Sequence, residues 1–289
     1  MSRIFEALKQ SGTPNPVEES GVRENVSELI NQVIDQPTAP SDTNKFVLTS
    51  SPESRLVSIS DEHGLAAEKI RVLATKLKHI SARRPLKRLL VTSSMKGEGK
   101  SIISANLAVT LAKHSQARVL LLDGDLRQPT LDDKLGCRDE KSLASWWKEN
   151  LSIQAVLHKE ETLPLWFLPA GQFDSQPLEI LQSSRFSDLL NQANEMFDWI
   201  VIDSPPLNPL ADSRVLGGLA DGVLLVVREK FTQVGLLNQA AEAIEPKKLL
   251  GLVVNDTSVS ESRYFPSYYQ YQYIPKQGEK AVAAAPGSQ

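Results

Sequence analysis

The chain has 289 residues, of which 41% are hydrophobic, and its 32 basic and 35 acidic side chains give a formal net charge of −3. This length suffices for one large α/β domain with extensions, and the near-balanced charge gives no reason to expect a nucleic-acid partner. Cys137 is the only cysteine, which excludes an intramolecular disulfide and fits a reducing compartment. Neither a signal-peptide core nor a run of about 20 apolar residues is present, so we expect a cytoplasmic protein that meets a membrane only through a partner.

The first 60 residues are predicted to form an N-terminal extension. Apolar residues at helical spacing predict short amphipathic helices at 2–10 and 24–35. Residues 36–60 are rich in Pro, Ser and Thr and are interpreted as a linker. A helix follows at 61–80, with Asp61 as its predicted N-terminal cap.

A glycine-containing turn at residues 93–101, SSMKGEGKS, lies between an apolar run and a helical pattern. Its glycines would let the backbone N–H groups point at phosphate oxygens, aided by the partial positive charge of the helix N-terminus. Lys100 would reach the β- and γ-phosphates and Ser101 would ligate Mg²⁺. Ser94 replaces the first glycine of the usual pattern, and the alternative interpretation is a chance glycine turn before a helix. The predicted nucleotide contacts are Lys96, Gly97, Glu98, Gly99, Lys100, Ser101 and Ile102.

From residue 86 onward, apolar runs alternate with helical patterns. Strands are predicted at 88–93, 118–123, 165–169, 198–203, 222–228 and 248–255. Helices are predicted near 100–114, 142–157 in pieces, 177–195, 212–219 and 232–245. Continuously apolar strands alternating with helices predict an α/β fold with a doubly wound, mostly parallel sheet. In such sheets, ligands bind at the carboxyl ends of the strands.

Carboxylates follow two of these apolar runs. Asp123 and Asp125 end the run VLLLDGD, and Asp203 ends the run WIVID before Ser-Pro-Pro. One carboxylate at such a strand end could hold Mg²⁺ and another could accept the proton of an attacking hydroxyl. The alternatives are a helix-capping role for Asp125 and an ordinary turn acid for Asp203.

The tyrosines are segregated at one end of the chain. Residues 1–263 contain none, and the five tyrosines are Tyr264, Tyr268, Tyr269, Tyr271 and Tyr273. Tyrosine normally occurs throughout cores and surfaces, so this cluster needs a reason beyond packing. The residues from about 274 carry no periodicity and are expected to be disordered.

These sites, in this order, resemble the bacterial tyrosine kinases of exopolysaccharide and capsule synthesis, which are P-loop proteins related to the partition ATPases. The similarity covers about residues 61–273 and includes the tyrosine cluster, which is the family's autophosphorylation segment. The other matching positions are Ser93, Ser94, Gly97 to Ser101, Asp123, Asp125, Leu126, Arg127, Pro129, Asp203 to Pro206, Asp212, Asp221, Gly222, Val226 to Arg228, Gly251, Val253 and Asn255.

The resemblance implies an ATP- and Mg²⁺-dependent autokinase with three segments: an extension at 1–60, a kinase domain at 61–263 and a tyrosine tail at 264–289. Its catalytic residues would be Lys100, Asp123 and Asp125, its metal ligands Ser101, Asp125 and Asp203, and Asn255 would contact adenine. A neighbouring subunit would phosphorylate the tail tyrosines. The implied partners are a membrane-embedded chain-length or co-polymerase protein at the inner membrane, further copies of the chain, and a phosphotyrosine phosphatase.

Besides Ser94, positions 74, 95 and 96 bear on the comparison with related proteins, and Lys96 stands where the family often has Pro. The family's oligomerisation pattern E-x-x-R-x-x-R is matched by Glu68 and Arg71, but its last position is Ala74. A partition-type ATPase, the first rival, would carry a second loop lysine where this chain has Met95. The second rival is a nucleotide-binding regulator of a membrane partner that lacks kinase activity.

Overall fold

The computed structural model describes residues 44–49, 54–115, 117–137, 141–173 and 177–257. The two predicted amphipathic helices and the tyrosine tail lie outside the described residues.

One eight-stranded sheet forms the centre of the described protein. Its strands are β1 (Asn44–Phe46), β2 (Arg88–Ser93), β3 (Val119–Asp123), β4 (His158–Glu160), β5 (Leu165–Leu168), β6 (Trp199–Asp203), β7 (Gly222–Arg228) and β8 (Leu249–Asn255). Their order across the sheet is β1-β4-β5-β3-β6-β2-β7-β8. Every neighbouring pair is parallel except β4 with β5. The predicted mostly parallel sheet is therefore confirmed, with all six predicted strands within it.

The helices lie on both faces of the sheet. They are α1 (Val57–Ser60), α2 (Leu65–Ser81), α3 (Lys100–Ser115), α4 (Leu131–Leu135), α5 (Leu143–Glu149), α6 (Ile153–Val156), α7 (Pro177–Gln182), α8 (Ser184–Met196), α9 (Asp212–Leu219) and α10 (Val234–Glu242). Each helix predicted downstream of residue 86 is present. The predicted helix at 177–195 is divided in two at Ser183, whose side chain caps α8 by accepting a hydrogen bond from Phe186 N.

Alternate residues of each central strand enter opposite cores. Leu120 and Ile202 belong to the core that also contains Phe186 of α8. Leu121 and Val201 belong to the core beneath α3 on the other face. Because both faces are covered, β3 and β6 are buried along their whole length, and this explains their continuously apolar sequences.

The described part of the predicted linker at 36–60 belongs to the fold, so the linker prediction is wrong there. Asn44–Phe46 pairs with β4 as an edge strand, and Leu56 is completely buried. Asn106 of α3 holds the next turn, since its Oδ1 accepts from Ser58 N at 3.0 Å and its Nδ2 donates to Arg55 O at 3.0 Å. Hydrogen bonds to Asn106 therefore attach this polar segment to the domain, and its sequence has no periodic apolar pattern that would have predicted the attachment.

The predicted cap of the next helix is also wrong. Asp61 is the C-terminal cap of α1, and α2 begins four residues later, after Gly64, which provides no side-chain cap. The apolar face of α2 is as expected, with Ile70 and Leu77 buried. Among the described residues, no helix is both long enough and apolar enough to cross a membrane.

Candidate nucleotide-binding site

The turn between β2 and α3, residues 93–101, is called the phosphate loop here. Two of its glycines take backbone conformations that favour glycine, with φ of +90° at Gly97 and +94° at Gly99. A Cβ on Gly99 would lie 2.1 Å from Asn255 Nδ2, so a side chain there would strain the backbone and would also displace the Asn255 amide from its bond to Glu98 O. The loop leads directly into α3, whose first turn includes a hydrogen bond from Ile103 N to Gly99 O at 3.0 Å.

Lys100 extends from the start of α3 toward a carboxylate. Its Nζ donates to Asp125 Oδ2 at 3.1 Å and lies 3.4 Å from Ser101 Oγ. Burial alone would lower the pKa of the Lys100 ammonium, but the carboxylates of Asp203 and Asp125 outweigh this effect and raise it. Lys100 therefore stays protonated, as a phosphate-binding lysine must.

Asp123 and Asp203 end two adjacent strands and are paired in register. Asp123 accepts hydrogen bonds from Asp125 N at 3.1 Å and Leu131 N at 3.4 Å, while Asp203 Oδ1 accepts from Ser104 Oγ at 3.1 Å. Burial raises the pKa of both carboxyl groups, and the neighbouring Asp203 carboxylate raises that of Asp123 well above its usual value. Ionising both acids at once is therefore unfavourable; the Lys100 ammonium offsets part of this cost at Asp203, and a bound divalent cation would offset more.

One oxygen of this pair, Asp203 Oδ2, is buried and has no hydrogen-bond partner among the residues that the structure describes. A buried carboxylate oxygen without a donor is costly, and a cation or an ordered water on it would relieve that cost. Ser101, Asp125 and Asp203 all lie beside Lys100 at the mouth of the phosphate loop. Within the described residues no group of three His, Cys, Asp or Glu side chains forms a metal cage. The donor set suits Mg²⁺, which proteins commonly bind through one or two carboxylates together with substrate phosphates and water.

The other predicted contacts occupy different positions around the loop. Lys96 is exposed and donates to Gln128 Oε1 at 2.6 Å, and Ile102 contributes only its position in the first turn of α3. Glu98 points inward, with its carboxylate fully buried. Asn255 donates to Glu98 O at 3.0 Å, which places it at the loop and leaves its predicted adenine contact a prediction.

Sequence reasoning missed two side chains of this site. Ser104 lies one helical turn after Lys100 and donates to Asp203, and Thr232 follows β7 and bonds to Glu98. The signal for Ser104 was available, because i and i+4 share a helix face. Thr232 had no local signal, since its contact joins residues 134 positions apart.

Comparisons with known proteins agree with this geometry. A family model described as an AAA domain matches residues 87–248, more than half of the chain. Tyrosine-protein kinase YwqD of Bacillus subtilis is 30% identical over 221 residues, which cover 76% of this chain and 93% of that protein. The chain belongs to the bacterial tyrosine-kinase family.

The chain is also similar to other proteins named as bacterial tyrosine kinases. The putative tyrosine-protein kinase CapB of Staphylococcus aureus is 30% identical over 71% of this chain and 89% of its own length. The kinase domain of Escherichia coli tyrosine kinase ETK shares the fold, with a TM-score of 0.67 at 23% identity over 76% of this chain and 86% of that domain. The family resemblance inferred from the motifs is thereby confirmed.

Proposed function

We propose that this chain is an ATP-dependent protein-tyrosine kinase that transfers the γ-phosphoryl group of ATP to tyrosines of its own tail. The observation that carries the proposal is the convergence of Lys100, Asp125, Asp123 and Asp203 on the phosphate loop, with an unpartnered oxygen on Asp203. Such an arrangement would suit a triphosphate together with the cation that neutralises it.

Each side chain has a role that follows from its surroundings. Lys100 would exchange its contact with Asp125 for the β- and γ-phosphates, while Ser101 and Asp203 would hold the metal ion, with Asp125 freed to join them. Bound Mg²⁺ would supply charge neutralisation on the transferring phosphoryl group. Asp123, whose pKa burial and Asp203 raise, is suited to accept a proton.

The acceptor would be a tyrosine hydroxyl of the segregated cluster, and this phenol, with a pKa near 10, needs a nearby base in order to attack. The tyrosine oxygen forms a bond to the γ-phosphorus as the bond to the β-phosphate oxygen breaks, and the phenolic proton passes to an aspartate. The products are phosphotyrosine and ADP. The five clustered tyrosines beyond residue 263 would provide acceptors, and Tyr264 follows Asn255, which contacts the phosphate loop, by nine positions.

We also infer the wider setting from the family resemblance. The kinase would regulate polymerisation and export of an exopolysaccharide, working at the inner membrane with a membrane-embedded co-polymerase. Each phosphate adds about −1.5 to −2 charge, so a heavily modified tail would be repelled by itself and by the acidic site. A phosphotyrosine phosphatase would reverse the modification.

Phosphotyrosine formation in the purified chain tests this proposal. With ATP–Mg²⁺, the protein should give a time-dependent anti-phosphotyrosine signal that mass spectrometry assigns to the tail. Lys100→Met should reduce the rate at least 100-fold, whereas Lys113→Met on the same helix, which pairs with Glu62, should not. Nucleotide binding or hydrolysis without phosphotyrosine, also in the presence of the co-polymerase's cytoplasmic segment, would contradict the kinase assignment and favour one of the rival functions.

A further inference from the structure

A buried carboxylate within the phosphate loop has donors from two distant parts of the chain. Glu98 accepts from Ser94 Oγ at 2.9 and 3.0 Å and from Met95 N at 2.8 Å. Its Oε1 also accepts from the hydroxyl of Thr232, which lies 134 positions later. The Glu98 side chain therefore faces the protein interior instead of the nucleotide.

Thr232 is itself fixed by the turn that follows β7. Its Oγ1 accepts from Arg228 N at 2.8 Å, and its own N–H donates to Arg228 O at 3.0 Å. The hydroxyl hydrogen is thus free to donate to Glu98 alone, so both functions of this one hydroxyl are used. Thr232 consequently joins the end of β7 to the phosphate loop.

The end of β8 holds the same loop residue by its backbone. Asn255 Nδ2 donates to Glu98 O at 3.0 Å, and Asn255 O accepts from Glu229 N at 3.0 Å. The ring of Phe231 lies 3.6 Å from the position that a Cβ on Gly97 would occupy. Residues at the carboxyl ends of β7 and β8 therefore contact the phosphate loop at Gly97 and Glu98.

We propose that Thr232 is a positioning residue for the nucleotide: its bond to Glu98 fixes the curvature of the phosphate loop before a ligand arrives. Two glycines at positive φ make the isolated loop costly to order, and ordering it in advance lowers the cost of binding phosphate. The inference rests on the proposed nucleotide site and adds a residue that no phosphate-loop motif contains.

Three substitutions separate this role from general packing. Thr232→Val removes the hydroxyl at nearly constant volume, Thr232→Ser keeps it, and Thr75→Val is the matched control on the exposed face of α2. Isothermal titration with Mg·ADP should show about a tenfold loss of affinity for Thr232→Val, because a hydrogen bond to a charged group is lost. Thr232→Ser and Thr75→Val should stay within about twofold of the parent protein.

Hydrogen exchange provides a second measurement that a purely structural role would not reproduce. Without nucleotide, amides of residues 95–101 should exchange faster in Thr232→Val, while those of β3 and β6 stay protected as in the parent. Glu98→Gln should show the same local pattern, because it weakens the bond from the other side. Faster exchange spread evenly over the sheet would instead mean general destabilisation and would overturn the proposal.

Equal Mg·ADP affinity and equal loop exchange in Thr232→Val and Thr75→Val would also overturn it. These measurements do not depend on tyrosine phosphorylation. A parent protein that binds Mg·ADP but never forms phosphotyrosine would contradict the kinase assignment while leaving the role of Thr232 intact.

Discussion

Two lysines of the phosphate loop, four positions apart, have opposite surroundings. The Lys100 side chain is 14% exposed and directed at Asp125, whereas Lys96 is exposed and bonds to Gln128. Burial and contact with a carboxylate thus separate the ammonium group that we propose to bind phosphate from the exposed one. The loop's backbone N–H groups remain when either side chain is removed.

Lys96→Ala should therefore weaken Mg·ATP binding by less than about threefold, since the contribution of residue 96 is its backbone N–H. Lys100→Met should weaken it at least tenfold, because a charge-assisted contact to phosphate is lost. Titration calorimetry on both variants makes the comparison. A loss with Lys96→Ala as large as that with Lys100→Met would show that the exposed side chain itself reaches the nucleotide.

The buried carboxyl of Asp203 makes stability depend on pH. Burial raises its pKa above the ordinary value of 3.8, so the folded protein holds this proton more tightly than the unfolded chain. The free energy of unfolding should thus fall as the pH rises from about 4 through the raised pKa. In chelator and without nucleotide, Asp203→Asn should make this slope shallower, with the remainder coming from the raised pKa of Asp123, and should raise the free energy of unfolding at pH 7.

Urea unfolding between pH 4 and pH 8 checks this expectation, and Asp198 at the other end of β6 provides the control. Burial tends to raise the pKa of Asp198, but hydrogen bonds from Arg118 lower it on balance. Asp198→Asn should therefore reduce stability above pH 4 by about 0.5 kcal/mol, a small loss because the side chain is half exposed. Parallel pH profiles for the parent and Asp203→Asn would contradict the role assigned to the buried charge.

At the scale of elements, the sequence predicts the position of a strand where every residue of that strand is buried. The runs that form β3, β6 and β7 are apolar along their length, and their positions follow from that pattern alone. β1 and β4 were missed because their sequences, NKF and HKE, carry no such pattern and become strands through pairing at the edge of the sheet.

The candidate site likewise has features that the sequence predicts and features that it does not. Asp123 and Asp203 could be predicted because acids at the ends of parallel strands must meet at one edge of the sheet. The inward direction of Glu98 could not be predicted, since it depends on Thr232, whose position is set by the course of β7. Motifs thus predicted which residues form the loop and the strand-end acids, and tertiary structure determined which of their side chains face the interior.

The segment before α2 tests how strongly hydrogen bonds hold an element of weak pattern. Asn106→Ala removes the acceptor for Ser58 N and the donor to Arg55 O, and leaves these backbone groups without their partner. We expect a loss of about 2–3 kcal/mol in the free energy of unfolding, measured in urea. Asn238→Ala on the exposed side of α10 should change it by less than about 0.5 kcal/mol. Equal losses in both variants would mean that this segment contributes little to the fold.

For the whole molecule, the direction of the strands places the phosphate loop and the acids of the candidate site at one end of the sheet. The phosphate loop follows β2, the acids of the candidate site lie at the ends of β3 and β6, and the sequence that leads to the tyrosines follows β8. Because β2, β3, β6, β7 and β8 run parallel, all of these features lie at the same edge of the sheet. Tyr264 is seven positions beyond Thr257. The length of this segment does not decide whether a tyrosine enters the site of its own chain or the site of another copy.

A mixing experiment decides between these routes. One chain carries Lys100→Met with an intact tail and can only accept phosphate, while the other has all five tyrosines changed to Phe and can only donate it. Each chain alone should remain without phosphotyrosine, and the mixture should label the tail of the first chain at an initial rate that rises with the concentration of the second. The Phe-substituted chain should bind Mg·ATP as the parent does, which shows that the donor site is intact. A silent mixture beside a parent protein that labels itself would place the transfer within one chain, because a tail confined to its own site cannot use the site of another copy.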